Sequence, residues 1–268
     1  MRTLAPLGRR RVELTGADDV GAYRILRAAD PTGPVPQAGQ FYMLAAAAGW
    51  GAGDDERPYL PRAFSFLHAS GGELSFMLED VGPGTHRLGQ LGEGDALWLT
   101  GPLGLGFRAP HDGRRALLAG GGVGVPPLSA WARELAGDGG AAATVVLGFR
   151  DAHHAAGAAL MAGGDVTVAT DDGSVGHHGL VTELLAASLD DDDLAVVYAC
   201  GPPGMLEAVR ALCAARDVPA QLALEAGMAC GFGACYGCVV PVRAGGYVRL
   251  CIDGPVLDSD LLDHVPVH

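Results

Sequence analysis

Four cysteines near the C-terminal end constrain this chain more than any other feature. Cys230-x4-Cys235-x2-Cys238 is followed, after twelve residues, by Cys251. Three thiols within nine residues must converge from one loop. The order C-x4-C-x2-C with a distant fourth Cys is the one that wraps a [2Fe–2S] cluster. Gly227, Gly231, Gly233 and Gly237 supply small, conformationally free positions for that wrap. Backbone N–H groups in such a loop can also point at the inorganic sulfides. The competing reading is a structural zinc site with four cysteine ligands, although zinc ribbons usually present two separated C-x2-C knuckles. A disulfide scaffold is disfavoured, because four of the six cysteines crowd into the last 39 of 268 residues. Cys213, beside Leu212 on an expected helix, reads as a buried small residue.

Upstream of the loop the sequence changes character twice. From Arg11 to about Phe107, short apolar runs (Ala22–Leu26, Phe41–Ala48, Phe64–Leu67, Leu74–Leu78 and Ala96–Leu99) alternate with Gly, Pro and Asp turns. This predicts an antiparallel sandwich or barrel. From Arg115 to about Pro219, apolar strands at Ala116–Ala119, Thr144–Phe149, Val166–Ala169 and Ala195–Ala199 alternate with helices at Leu128–Leu135, Leu180–Leu189 and Gly204–Arg216. That rhythm predicts a doubly wound parallel sheet. The run Asp190–Asp193 reads as a solvated turn.

Charge removes several function classes. There are 31 acidic and 18 basic residues, every basic one an Arg, for a net charge of −13. Nucleic acid and anionic membranes need clustered cations, so neither is an expected partner. The start of the chain has Arg9–Arg11 but no apolar run after them, and no unbroken run of about 20 apolar residues occurs. The expectation is a cytoplasmic protein. No H-E-x-x-H, G-x-S-x-G or G-x-x-x-x-G-K-[ST] is present.

Three further motifs suggest anion and nucleotide binding. Pro61-Arg62-Ala63-Phe64-Ser65-Phe66 opens an expected strand and brings a planar guanidinium suited to a phosphate together with a small hydroxyl. Alone, an Arg on a strand edge is more often a solvated surface residue. Gly82-Pro83-Gly84-Thr85 precedes a short expected helix, His86–Gln90, and could form an anion nest or simply a capped turn. Ala119-Gly120-Gly121-Gly122-Val123-Gly124-Val125-Pro126-Pro127 runs from a strand through a Gly-rich turn into a helix. That context lets a dinucleotide phosphate approach the backbone at a helix N-terminus, although the spacing is not G-x-G-x-x-G. Ala199-Cys200-Gly201-Pro202-Pro203-Gly204-Met205 ends another strand at the edge where ligands of open α/β sheets sit. The pairs His153-His154 and His177-His178 read as surface residues in loops.

Taken in order over nearly the whole chain, RAFSF from Arg62, GPGT from Gly82, GPLGLGF from Gly101, AGGGVGVPPL from Ala119, TDDGSVG from Thr170, ACGPPGM from Ala199, MACGFGACYGC from Met228 and CIDGPVLDSDLL from Cys251 resemble one family. It is the electron-transfer subunits of the class 1B dihydroorotate dehydrogenases, within the ferredoxin–NADP reductase superfamily. The resemblance implies an antiparallel FAD-binding barrel over residues 1–110, a doubly wound NAD-binding α/β domain over 111–222 and a small [2Fe–2S] module over 223–268. It implies that Arg62, Ala63, Phe64 and Ser65 contact the flavin, with Arg62 facing its pyrophosphate. Met77, Leu78 and Glu79 would line the flavin, and Gly84 and Thr85 would hold phosphates. Gly120, Gly121, Gly122 and Gly124, with Cys200, Gly201, Pro202 and Met205, would dock NAD(H), and Cys230, Cys235, Cys238 and Cys251 would bind the irons. Two positions depart from the family pattern: Ala63, where Pro is common, and Glu79, where a basic residue often stands.

The implied function is a relay between NAD(H), FAD and a [2Fe–2S] cluster. It delivers electrons to or from an FMN-containing catalytic subunit that interconverts dihydroorotate and orotate in pyrimidine biosynthesis, in a two-plus-two heterotetramer. This chain shows no general base for dihydroorotate, so no catalytic residue is assigned. Rival readings are an electron-transfer subunit of a hydrogenase or sulfite reductase type, and a zinc-bearing binding protein without enzymatic activity. NADH is expected over NADPH, with Arg150 the one candidate for an extra phosphate.

Overall fold

The computed structural model describes residues 8–51, 58–111, 113–137, 143–191 and 194–266; the first seven residues and Asp192–Asp193 of the acidic turn lie outside them. The N-terminal third forms a closed six-stranded antiparallel barrel from β1 (Arg9–Val20), β2 (Tyr23–Ala29), β3 (Phe41–Ala46), β4 (Arg62–Ser70), β5 (Glu73–Glu79) and β6 (Ala96–Leu103), ordered β1-β2-β5-β4-β3-β6. A short helix, α1 (Pro83–Gly89), lies between β5 and β6. It begins three residues before the expected His86. Closure leaves no strand edge to cap, which is how a barrel with charged outer positions avoids pairing with other chains. β1 shows why: Val12 and Leu14 are buried while Arg9, Arg11 and Glu13 alternate outward.

The second layer system is a seven-stranded sheet. It contains β7 (Arg115–Gly121), β8 (Thr144–Phe149), β9 (Asp165–Thr170), β10 (His177–His178), β11 (Ala195–Cys200) and β12 (Ala220–Ala223), with helices α2 (Val125–Gly137), α3 (Ala152–Ala155), α4 (Val181–Asp190) and α5 (Pro203–Ala215). Those six strands run parallel. Their apolar runs are continuous because both faces are covered. Leu118, Val145 and Leu147 pack with Val125, Leu128 and Trp131 of α2 on one side. Leu117, Ala119 and Val146 pack with Leu185, Leu206 and Val209 on the other. Beside β7 the strand order turns from β8 to β11, so the carboxyl ends of β7 and β11 diverge into the crevice where open α/β sheets bind ligands.

The C-terminal segment contributes a hairpin, β13 (Val239–Pro241) and β14 (Tyr247–Arg249), a helical turn α6 (Leu250–Asp253) and β15 (Val256–Asp258). β15 adds to the edge of the large sheet antiparallel to β12, with Leu222 opposite Leu257. The cysteine module is thus fastened to the sheet by main-chain hydrogen bonds. Leu224 N–H donates to Pro255 O at 3.0 Å, and Cys238, Val240, Leu250 and Cys251 share one apolar core with Phe41, Met43 and Leu103 of the barrel. Barrel and sheet are joined by an aromatic cluster, in which Phe107 lies 5.8 Å from Trp131 and 5.6 Å from Tyr198. No helix among the described residues is long and apolar enough to cross a membrane.

Candidate functional site

The expected site residues fall around two adjoining clefts. The first, about 480 Å³, is lined by Arg62, Ala63, Phe64 and Ser65 of β4, Met77 and Glu79 of β5, and Thr85. Its far wall is Val123, Pro126 and Cys200, and its floor is Leu224, Glu225, Ala226, Gly227 and Met228. The floor therefore ends two residues before Cys230. Strand alternation explains which β5 residues face it: Met77 and Glu79 line the cleft, whereas Leu78, 1% exposed, points into the barrel core. Arg62 Nη1 donates to Leu60 O at 2.6 Å, and its guanidinium lies 5.9 Å from the Trp50 ring centroid. Gly84 makes room for it, since a Cβ there would come within 2.5 Å of Arg62 Nε. Thr85 is less free than the sequence suggested. It is the third residue of α1, and its hydroxyl accepts from Val81 N–H at 2.9 Å and Gly82 N–H at 3.0 Å.

A flavin has a planar ring, a sugar-like chain and a pyrophosphate, and the cleft offers a matching set. It has apolar walls, a small Ser hydroxyl, and a guanidinium already held in one place. Sequence reasoning missed Glu225. Its side chain lines the cleft and stays exposed, while the surrounding protein raises its pKa. Burial, then the charge of Glu225, also drives the Cys200 thiol upward, so this cysteine stays protonated. Glu225 carried no motif; its position just ahead of the cysteine loop was the one available signal.

The second cleft, about 530 Å³, lies at the carboxyl ends of the parallel strands. Gly121 ends β7 and Gly122 and Val123 follow it, Phe149 ends β8 and Arg150 follows it, Asp171 follows β9, and Pro202, Gly204 and Met205 follow β11. Gly120, Gly124 and Gly201 line neither cleft. Gly124 and Gly201 let the two turns touch, since a Cβ on Gly124 would meet the Cys200 carbonyl carbon at 2.4 Å and one on Gly201 would meet Gly121 N at 3.0 Å, whereas Gly120 makes room for Leu147 of β8, 2.7 Å from a Cβ there. Among the glycines of these two turns, Gly122 alone combines a left-handed φ, of 51°, with open space in front of it. Glu79 and Val123 line both clefts, so the two communicate. Glu79 is ion-paired with Arg150 and lies 3.4 Å from His154 Nε2, whose other nitrogen is 2.7 Å from Asp151 Oδ1. His154 is therefore not the loop-surface residue expected from sequence; its side chain is 15% exposed. His177 and His178 are exposed, as expected.

The cysteine loop is wrapped by three left-handed residues, Gly231, Gly233 and Tyr236, at φ of 74°, 83° and 59°. Arg249 ties it down, donating to Gly233 O at 3.1 Å and stacking 5.0 Å over the Tyr236 ring. Backbone N–H groups aim at sulfur: Ala234 and Cys235 donate to Cys230 Sγ at 3.3 and 3.4 Å, Gly237 to Cys235 Sγ at 3.4 Å, and Cys251 to Cys238 Sγ at 3.5 Å. Burial resists ionisation of Cys230, but these donors and the Cys235 thiol outweigh it and bring its pKa to about 7. Burial and the neighbouring Cys238 push Cys251 up to about 12. Among the described residues no three His, Cys, Asp or Glu side chains converge on one metal position. The thiols instead meet in pairs, Cys230 with Cys235 and Cys238 with Cys251. Two irons joined by sulfides take two thiolates each, so the donor set fits a binuclear cluster better than a single tetrahedral ion.

Comparison with known proteins agrees with this geometry. Residues 225–263 match the family model for the iron–sulfur cluster binding domain of dihydroorotate dehydrogenase B. The electron transfer subunit of dihydroorotate dehydrogenase B (NAD(+)) from Bacillus caldolyticus is 41% identical over 233 residues, covering 82% of this chain and 84% of that one. The corresponding subunit from Desulforamulus reducens is 37% identical over 214 residues, 77% of this chain and 81% of its own. The chain belongs to the dihydroorotate dehydrogenase B electron transfer subunit family. Its fold is shared more widely. A chain of NADH-dependent reduced ferredoxin–NADP oxidoreductase superposes with a TM-score of 0.80 at 24% identity, over 96% of this chain and 91% of that one. The ferredoxin reductase of carbazole 1,9a-dioxygenase superposes at 0.67 and 22% identity, over 80% of this chain and 67% of its own. The family is that of an electron transfer subunit, and the matched segment is its iron–sulfur cluster binding domain.

Proposed function

We propose that this chain carries electrons between NAD(H) and the FMN-containing catalytic subunit of dihydroorotate dehydrogenase, in the cytoplasm, within a two-plus-two heterotetramer. The observation that carries the reading is the first cleft, where the Arg62–Ser65 strand and the Leu224–Met228 entrance to the cysteine loop form opposite sides of one cavity. The flavin, when bound, supplies the change from two-electron to one-electron chemistry that a nicotinamide and an iron–sulfur centre need between them. The chain's part is placement. Arg62, with Gly84 and Thr85, would hold the pyrophosphate, and Ser65 and Met77 would line the flavin. Cys200, buried and protonated, and Glu225 would close the opposite side. Cys230 with Cys235, and Cys238 with Cys251, would each hold one iron, and the loop N–H groups would offset charge on sulfur.

Nucleotide choice follows from the second cleft. Asp171, which lines the cleft, and Asp172 follow β9, and the acidic residue of a dinucleotide fold suits a ribose diol and repels a 2′-phosphate. Arg150, the one cation that would favour NADPH, is already paired with Glu79. The functional divisions run over 1–110, 111–222 and 223–268, the last anchored through β15. The test is reconstitution. NAD+ reduction by dihydroorotate should require this chain and the catalytic subunit together, and turnover of dihydroorotate by this chain alone would refute the assignment.

A further inference from the structure

The wall that the barrel presents to the second cleft holds a polar group without a partner. Tyr23 on β2 stands directly opposite Glu79 on β5, so both side chains leave the same face of the barrel. The Tyr23 ring is 1% exposed, meets His154 edge-on at 6.0 Å, and fills the space above Gly157, where a Cβ would come within 2.7 Å of it. Its hydroxyl is sealed from solvent and has no hydrogen-bond partner. Buried hydroxyls are nearly always satisfied, and one that is not marks a place where something else supplies the bond. Burial, followed by the charge of Glu79, raises the phenol pKa, so the group is a proton donor at any physiological pH.

What lies in front of it is the turn after β7. A Cβ on Gly122 would find nothing nearer than the Tyr23 hydroxyl, at 3.9 Å. The gap is bounded by Glu79, whose Oε1 is taken by Arg150 and His154, leaving acceptor capacity on its second oxygen. A group entering here meets a neutral donor and an anionic acceptor. A phosphate would be repelled by the carboxylate; a neutral group that accepts one hydrogen bond and donates another would be held. In a dinucleotide these are the carboxamide and the ribose diol of the nicotinamide half. Glu79 lines both clefts, so this group would sit at the passage between them.

We propose that Tyr23 and Glu79 form a subsite on the barrel for the nicotinamide riboside half of the dinucleotide, Tyr23 donating and Glu79 accepting, with Arg150 and His154 positioning Glu79. The inference rests on the second cleft being the NAD(H) site. The test is equilibrium titration of the oxidised, FAD-loaded full chain with NAD+, nicotinamide mononucleotide and AMP. Tyr23→Phe should weaken NAD+ and nicotinamide mononucleotide about three- to tenfold, the range for one lost neutral hydrogen bond. AMP affinity, FAD content and cluster absorbance should not change, and the melting temperature should hold or rise, because an unsatisfied hydroxyl has been removed. Glu79→Gln should weaken the same two ligands. If that penalty disappears with the 3-acetylpyridine analogue of NAD+, the carboxamide is the bound group; if it persists, the ribose diol is. Wild-type affinity for nicotinamide mononucleotide in Tyr23→Phe, or an equal loss of AMP, would overturn the subsite alone. A wild-type chain that binds neither NAD+ nor AMP would overturn the NAD(H) site with it.

Discussion

Gly124→Ala is the sharpest test of how the nucleotide cleft is built. Gly124 sits where the turn after β7 crosses the end of β11, and a methyl group there would overlap the carbonyl carbon and oxygen of Cys200 and lie 2.9 Å from Gly201 N. All three atoms are main chain, so no rotamer change relieves the overlap. Restoring ordinary contact at about 3.5 Å requires the two turns to part by about 1–1.5 Å. Overpacking of this kind costs about 1–3 kcal/mol, which for a chain of this size lowers the melting temperature by about 3–10 °C. The same displacement moves Gly121–Val123 against Pro202–Met205 across the cleft, and a misplacement of about 1 Å can slow transfer on the order of 10²-fold. Gly137→Ala, at the end of α2 and outside both clefts, is the control, because a Cβ there meets nothing within 4 Å. Differential scanning calorimetry and stopped-flow reduction of the flavin by NADH read the two effects. A Gly124→Ala protein that melts and reacts like the Gly137→Ala protein would show that the two turns do not need their close approach.

Other outcomes follow from the same geometry. Arg62→Ala should weaken FAD about 10- to 100-fold, the worth of a charge-assisted bond to phosphate, with little change in iron content, measured by flavin release on dilution. In iron-free chain, Cys230 should react with iodoacetamide with a midpoint near pH 7, while Cys251, pushed up to about 12, stays unmodified at pH 8; peptide mapping that finds the reverse order would contradict the loop geometry.

The parts legible from sequence were those whose chemistry repeats a local pattern. The cysteine spacing predicts the loop, and period-2 runs followed by strand–turn–helix alternation predict a barrel and a parallel sheet. β1 was passed over because RRRVELTGADDV is dense in charge; only two deeply buried side chains, Val12 and Leu14, mark its inner face. β15 was invisible because three residues, Val256–Asp258, carry no periodicity, and their antiparallel pairing with β12 is a long-range choice. Glu79, Arg150 and His154 come from separate segments, and their ion-paired cluster exists only once β5 and the turn after β8 are folded together. The same holds for Tyr23, which reads as an ordinary strand aromatic until its unpartnered hydroxyl is seen beside Gly122.

The most direct measurement is an anaerobic titration of the purified chain with NADH, following flavin absorbance and the electron paramagnetic resonance of the cluster in one sample. The account predicts two irons and two sulfides per chain, flavin bleaching, and a reduced-cluster signal that grows with it in the absence of the catalytic subunit. A flavin that bleaches while the cluster stays oxidised at every NADH concentration, in protein whose cluster is reducible by dithionite, would contradict it.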